Sequence, residues 1–107
     1  PAKRSPTPRA SSSMCAIDDR KLLVFGGAEV CGAYEHGSGL LPRNDVWCLS
    51  YRDGRVVWTR LHVPSDDVDT APMPRVAAVL ERLPHAIVMT GGWNPPTRAI
   101  LSDTHHL

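Results

Sequence analysis

Five histidines, eleven acidic residues, three cysteines and three tryptophans are the side chains with which this 107-residue chain could do chemistry. A zinc site needs several His, Cys, Asp or Glu groups converging on one point. His105 and His106 are adjacent, and adjacent side chains on a strand point to opposite faces. His36, His62 and His85 lie far apart and fall at different ends of the elements described below. No metal site follows. Asp45 and Asp103 open equivalent strands. Such an aspartate reads as a group that bonds loop backbone, in preference to one half of a catalytic carboxylate pair. Trp47 and Trp58 read as packing residues in preference to a cofactor stack. Gly26-Gly27 and Gly91-Gly92 invite a phosphate-cradle reading. However, no G-x-G-x-x-G run, no Lys-Ser/Thr pair and no helix follows them. The chain therefore offers no catalytic group, no cofactor site and no metal set of its own, which favours a non-enzyme.

Composition narrows the remaining classes. The chain has room for one small domain at most. Its net charge is +1 with scattered Lys and Arg, so neither a nucleic-acid nor a membrane surface is indicated. No apolar run approaches the ~20 residues of a membrane span, and nothing reads as a targeting segment. Cys15, Cys31 and Cys48 are odd in number and form no C-x-x-C pair. They read as reduced thiols, which favours a cytoplasmic setting. Ten prolines and eight glycines suit many short strands joined by turns.

The elements that position these residues are all β. Leu22-Leu23-Val24-Phe25 runs into Gly26-Gly27, the pattern of a strand covered on both faces followed by a close backbone approach or a positive φ. Residues 1–13 read as a polar loop or linker. Strands are expected over 14–17, 22–25, 46–51 and 56–63, with a type I′ turn at Asp53-Gly54. Residues 28–44 read as a long irregular segment, and 64–74 as an acidic connecting loop. The chain then starts over: a strand over 76–83, another over 86–90 reaching Gly91-Gly92, a shorter loop over 93–101, and a segment opened by Asp103. Pro8 and Pro74 are 66 residues apart, and Gly26 and Gly91 are 65 apart. Two landmarks agreeing to one residue mark an internal repeat.

The repeated unit resembles the kelch motif. It is carried by Pro8-Arg9, Gly26-Gly27, Asn44-Asp45-Val46-Trp47 and Trp58, and again by Pro74-Arg75, Gly91-Gly92 and Ser102-Asp103. The resemblance covers nearly the whole chain. It departs at His105, which stands where the first copy has Trp47, and the second copy stops before any counterpart of Trp58. The resemblance implies an all-β partial propeller of four-stranded antiparallel blades: a first kelch blade over 14–63 and an incomplete second over 75–107. Two blades leave outer faces and strand edges uncovered. The expectation is therefore a piece of a longer chain, supplied with further blades, or a chain that associates with itself.

Alternating strand directions gather the long segments 28–44, 64–74 and 93–101 on one face, where a rigid scaffold usually binds. Candidate partner-binding residues there are Tyr34, Glu35, His36, Arg43, Asp66, Asp67, Trp93, Asn94 and Arg98, which include the Tyr, Trp and Arg that dominate binding hot spots. The structural set is Arg9, Gly26, Gly27, Asp45, Trp47, Trp58, Arg75, Gly91, Gly92 and Asp103. The resemblance implies a protein-interaction scaffold or adaptor that takes a peptide or protein. Two alternatives stand beside it: part of a kelch-type enzyme or small-molecule binder whose active residues lie on other blades, and a truncated fragment without function. Kelch-like enzymes with a Tyr–Cys copper centre or a Glu-x-x-x-Asp-x-x-x-His iron pattern exist, and neither constellation occurs in these 107 residues.

Overall fold

The computed structural model describes residues 5–30, 39–61 and 72–107, and every regular element among them is a β-strand. In chain order these are β1 (Ser13–Asp18), β2 (Lys21–Phe25), β3 (Ala28–Val30), β4 (Leu40–Pro42), β5 (Val46–Arg52), β6 (Arg55–Leu61), β7 (Val79–Leu83), β8 (Ala86–Thr90), β9 (Trp93–Asn94), β10 (Ala99–Ile100) and β11 (Thr104–His106). They form a first antiparallel sheet in the order β1-β2-β5-β6, a second in the order β7-β8-β11, and two small hairpins, β3-β4 and β9-β10. No described helix is long and apolar enough to cross a membrane.

Local chemistry explains the main elements. Asp53 and Gly54 have φ of 50° and 76°, the two positive values that a type I′ turn requires. They place Arg52 opposite Arg55 and register β5 on β6 through to Val46 and Leu61. β2 lies between β1 and β5, and Leu23, Val24 and Phe25 are all buried, as its unbroken apolar run predicts. Alternation then sorts each sheet into two faces. Leu23, Phe25 and Val46 of the first sheet form one core with Ile87 and Met89 of the second, and Cys15, Ile17, Leu61, Ala78, Leu80 and Leu107 pack against it. The sheets therefore stack face to face, with β1 alongside β7.

Several sequence expectations need correction. Residues 28–44 are not wholly irregular, because β3 and β4 pair there. The segment 93–101 is likewise a hairpin, with Ala99 opposite Asn94. The strand expected over 76–83 begins at Val79. Val76 instead forms a separate bridge with Trp93. Residues 10–12 are no linker either. Ala10 bridges Ala28 and Ser12 Oγ donates to the Gly26 carbonyl at 3.0 Å. The end of the strand expected to reach Val63 lies outside the described residues. Cys15 and Cys48 are free thiols.

The repeat persists at the level of backbone conformation. Gly26, Gly27, Gly91 and Gly92 have φ of 63°, 93°, 72° and 100°. Ser11 and Ala77, at equivalent positions without glycine's freedom, have φ of 59° and 57°. A Cβ on Gly27 would meet Ser12 Oγ and would lie 2.9 Å from the Ala10 carbonyl oxygen. On Gly92 it would lie 2.9 Å from the Val76 carbonyl oxygen and 3.2 Å from Ala78. At Gly54 it would meet open space. We therefore expect Gly54→Ala to cost about 1 kcal/mol through backbone strain alone. Gly27→Ala and Gly92→Ala should each cost roughly 2–3 kcal/mol, because strain and a backbone clash add. Denaturant titration of the three variants checks the order; equal losses would show that the close approach is not what these glycines serve.

Candidate functional site

The hairpins β3-β4 and β9-β10 leave their sheets from the same end, since each follows a glycine pair that closes the second strand of its copy. What holds that end is an arginine. Arg75 is fully buried. Its Nε donates to the Met73 carbonyl at 2.9 Å, Nη1 to the Gly91 carbonyl at 2.8 Å, and Nη1 and Nη2 grip the Asp103 carboxylate at 2.5 and 2.7 Å. Arg9 repeats this atom by atom. Its Nε donates to the Thr7 carbonyl at 3.1 Å, Nη1 to the Gly26 carbonyl at 3.2 Å, and Nη1 and Nη2 take the Asp45 carboxylate at 2.5 and 3.2 Å. A planar fork matching a planar carboxylate is the geometry that favours Arg over Lys.

A third group completes each lock. Trp47 Nε1 donates to Asp45 Oδ2 at 2.8 Å, and His105 Nε2 lies 2.7 Å from Asp103 Oδ2. His105 thus fills the place of Trp47 through the same ring-nitrogen contact. Trp47 also meets Trp58 edge to face, with ring centroids 6.3 Å apart. The sequence suggested that these carboxylates bond loop backbone, and Asp45 does accept from its own backbone N–H. Their main partners, however, are arginines, and the arginines hold the loop carbonyls.

These contacts set the charge states. For Asp103, the Arg75 hydrogen bonds lower the pKa well below the ordinary carboxylate value; burial opposes them, and His105 and the Arg75 charge reinforce them. For Asp45, burial raises the pKa, but the bonds from Arg9 and Trp47 and the Arg9 charge outweigh it and hold the group below its usual value. Two carboxylates kept ionised and engaged by arginines are poor proton carriers near neutral pH. Among the described residues no group of three or more His, Cys, Asp or Glu side chains is placed to hold a metal ion.

The loop residues divide. Arg43 pairs with Glu29 across the β3-β4 hairpin, yet its side chain remains partly exposed. Trp93 and Arg98 are exposed. Arg98 sits in the β9-β10 turn at φ 59°, with its N–H donating to the Pro95 carbonyl at 3.2 Å. Asn94 is not a surface contact. It is only 6% exposed; its Nδ2 donates to the Pro74 carbonyl at 2.8 Å, and its Oδ1 accepts from the Thr97 N–H and Oγ1. Tyr34, Glu35, His36, Asp66 and Asp67 lie outside the described residues. Sequence reasoning overlooked Val30 and Ile100, which expose apolar side chains on the two hairpins. Their only signal was a β-branched residue in a stretch read as loop. A polar hollow of about 250 Å³ between the N-terminal segment and β5 is reached by Arg9, Arg43 and Arg60. Arg9 and Arg43 are already neutralised there by Asp45 and Glu29.

No protein-family model matches the chain. Among curated proteins it is similar to the dynein alpha chain of the flagellar outer arm from Chlamydomonas reinhardtii. The two are 34% identical over 89 residues, covering 83% of this chain and 2% of that protein. The chain thus spans about 2% of the length of the relative it matches.

The locks give this end a pH dependence of defined sign. Both carboxyl groups have folded-state pKa values lowered from the ordinary value. Their contribution is therefore complete above the unfolded value of about 3.9 and is lost as pH falls below it. The denaturation midpoint should be level from pH 7 to about 5 and fall steeply below about pH 4. Asp103→Asn should flatten part of that fall. At pH 7 it should cost about 2–3 kcal/mol, at the low end for a broken buried pair because the aspartate itself is 42% exposed. A midpoint unchanged by Asp103→Asn at pH 7 would remove the lock from the stability of the fold.

Proposed function

We propose that the two stacked sheets are successive blades of a kelch-type partial propeller and that the chain is a protein-interaction module. Its ligand, a peptide or protein, docks on the end formed by the β3-β4 and β9-β10 hairpins. The observation that carries this reading is the pairing of a rigid base with an accessible rim. Below lie two arginine locks, one of them fully buried. Above stand exposed Val30, Trp93, Arg98 and Ile100, a mixture of apolar, aromatic and cationic groups suited to a hot spot. The carboxylates nearest this end are engaged by arginines, which favours binding over catalysis. The named relative is described as a dynein alpha chain of the flagellar outer arm. That favours a protein partner, with this module as one piece of a longer, intracellular chain.

Trp93→Ala, Arg98→Ala and Ile100→Asp should each reduce capture of the partner from a ciliary or cell extract at least tenfold. Their denaturation midpoints should stay near that of the parent, because none of the three side chains is buried. Crosslinking with mass spectrometry on the same extracts should place the crosslinks on the hairpin end. Capture that survives all three changes would move the binding surface elsewhere on the molecule.

A further inference from the structure

The N-terminal segment carries Ser5-Pro6-Thr7-Pro8, two hydroxyl side chains each followed by a proline. A kinase that reads this pattern accepts the ring next to the hydroxyl, where no backbone N–H is available to bind. Proline also biases the residue before it toward an extended backbone, the form in which a segment enters an enzyme cleft. Ser5 and Thr7 are both exposed, and residues 5–9 belong to no regular element. Among the described residues, the first main-chain hydrogen bonds are those between Ala10 and Ala28. The segment can therefore be engaged without opening a sheet.

The two hydroxyls differ in what lies beside them. Thr7 Oγ1 accepts from Arg9 Nη2 at 3.0 Å, and the Thr7 carbonyl accepts from Arg9 Nε at 3.1 Å. Thr7 thus belongs to the first lock, whereas the Ser5 hydroxyl bonds no other described residue. The nitrogen that reaches Thr7 also reaches Asp45 Oδ2, at 3.2 Å. The corresponding bond in the second copy, from Arg75 Nη2 to Asp103 Oδ2, is 2.7 Å. Met73 stands there in the place of Thr7 and offers Arg75 its carbonyl alone. Only the first lock has a group that can be modified and an arginine nitrogen shared between a hydroxyl and a carboxylate.

Thr7 opens on the hollow of about 250 Å³ that Arg9, Arg43 and Arg60 also line. Asp45 matches Arg9, and Glu29 matches Arg43. Arg60 forms no ion pair with any described residue. It stands opposite Trp47 across β5 and β6, on the same face of the sheet, and Trp47 itself reaches Asp45. One exposed cation thus lines the hollow with no counter-charge.

The geometry points to Thr7 as a phosphorylation site for a proline-directed protein kinase, with Arg9 and Arg60 receiving the phosphate. In that reaction Thr7 Oγ1 attacks the γ-phosphorus of a nucleoside triphosphate, and the bond from this phosphorus to its bridging oxygen breaks. The nucleoside diphosphate leaves, and the hydroxyl proton passes to the general base of the kinase. The product carries a charge of about −1.5 to −2 and three acceptor oxygens. Arg9 Nη2 is already within bonding distance of Oγ1, and Arg60 supplies the unmatched charge. Asp45 keeps Arg9 Nη1 and Trp47 Nε1. Phosphorylation fastens residues 5–9 across the hollow to β6, the edge strand of the first sheet. The second lock, with Met73 in this place, does not respond. None of this rests on partner binding at the hairpin end.

The full chain, incubated with a proline-directed kinase and ATP, can be mapped by tandem mass spectrometry. Phosphate should appear on Thr7, be lost from that position in Pro8→Ala, and persist there in Ser5→Ala. Phosphorus NMR then reads the hollow. Neighbouring cations favour the dianion, so the phosphate of the folded chain should titrate about 1 pH unit below that of a free phosphopeptide of residues 1–12. Arg60→Gln should remove most of that difference. The Arg60 side chain is exposed, so the variant should keep its fold, and circular dichroism checks this. The proposal is overturned if the native chain takes phosphate at Ser5 in preference to Thr7, or at neither. It is equally overturned if the folded and free phosphates titrate alike, or if Arg60→Gln leaves the titration where it was.

Discussion

The buried guanidinium of Arg75 is the constraint from which the rest of this structure follows. An arginine taken out of water is tolerated only if its charge is matched and its guanidinium nitrogens find acceptors. Asp103 supplies the charge, and the carbonyls of Met73 and Gly91 take further donors. Each acceptor comes from a different part of the second copy. Satisfying one side chain therefore fixes the entry to the first strand, the exit from the second and the start of the third relative to one another. The same arginine's backbone belongs to the other sheet: its carbonyl accepts from Gly27 and its N–H donates to Arg43. One residue thus closes its own unit with its side chain and docks that unit on its neighbour with its main chain.

The glycine pairs are explained by that double role. The Arg75 carbonyl oxygen comes within 2.8 Å of where a Cβ on Gly26 would sit, so any side chain there would push the sheets apart. The first glycine also offers its own carbonyl to the lock of its copy. Positive φ, close approach and an inward-facing carbonyl converge on the same two positions. In the first copy the pair is also the surface that the second unit touches.

Much of this architecture was legible in the sequence, and the limits are physical. The apolar runs and the Asp53-Gly54 turn declared the strands, because burial and positive φ are local demands. The 66- and 65-residue offsets declared the repeat. The arginine–aspartate pairing did not show, because it spans 36 residues in one copy and 28 in the other. The hairpins differ in length between the copies, so no constant spacing exists to find. Positive φ at Ser11 and Ala77 was hidden for a different reason: hydrogen bonds between sheets hold these residues there without glycine. Asn94 looked like a surface residue because Asn in a turn usually is. Only the Pro74 carbonyl above it and Thr97 beside it reveal a buried cap. Val30 and Ile100 were passed over because two- and three-residue strands leave no periodicity to read.

Comparing the two copies shows which interactions the fold cannot do without. Arginine, both glycines and aspartate are identical at every lock position, while the packing residues beside them change freely: Leu23 becomes Val88, Val24 becomes Met89, and Phe25 becomes Thr90. The energetics run the same way. Exchanging aliphatic side chains of similar volume usually costs under about 1.5 kcal/mol. Removing one member of a buried ion pair costs about 3–5 kcal/mol, because the other is left charged and unmatched. Trp47 and His105 fall between these cases, since the ring changes but the nitrogen that reaches the carboxylate is kept. Selection on such a unit acts first on groups whose loss strands a charge, next on donors that complete its hydrogen bonds, and last on the apolar surface. It is therefore in that last, permissive class that Phe25 can give way to Thr90 while the lock beneath it stays intact.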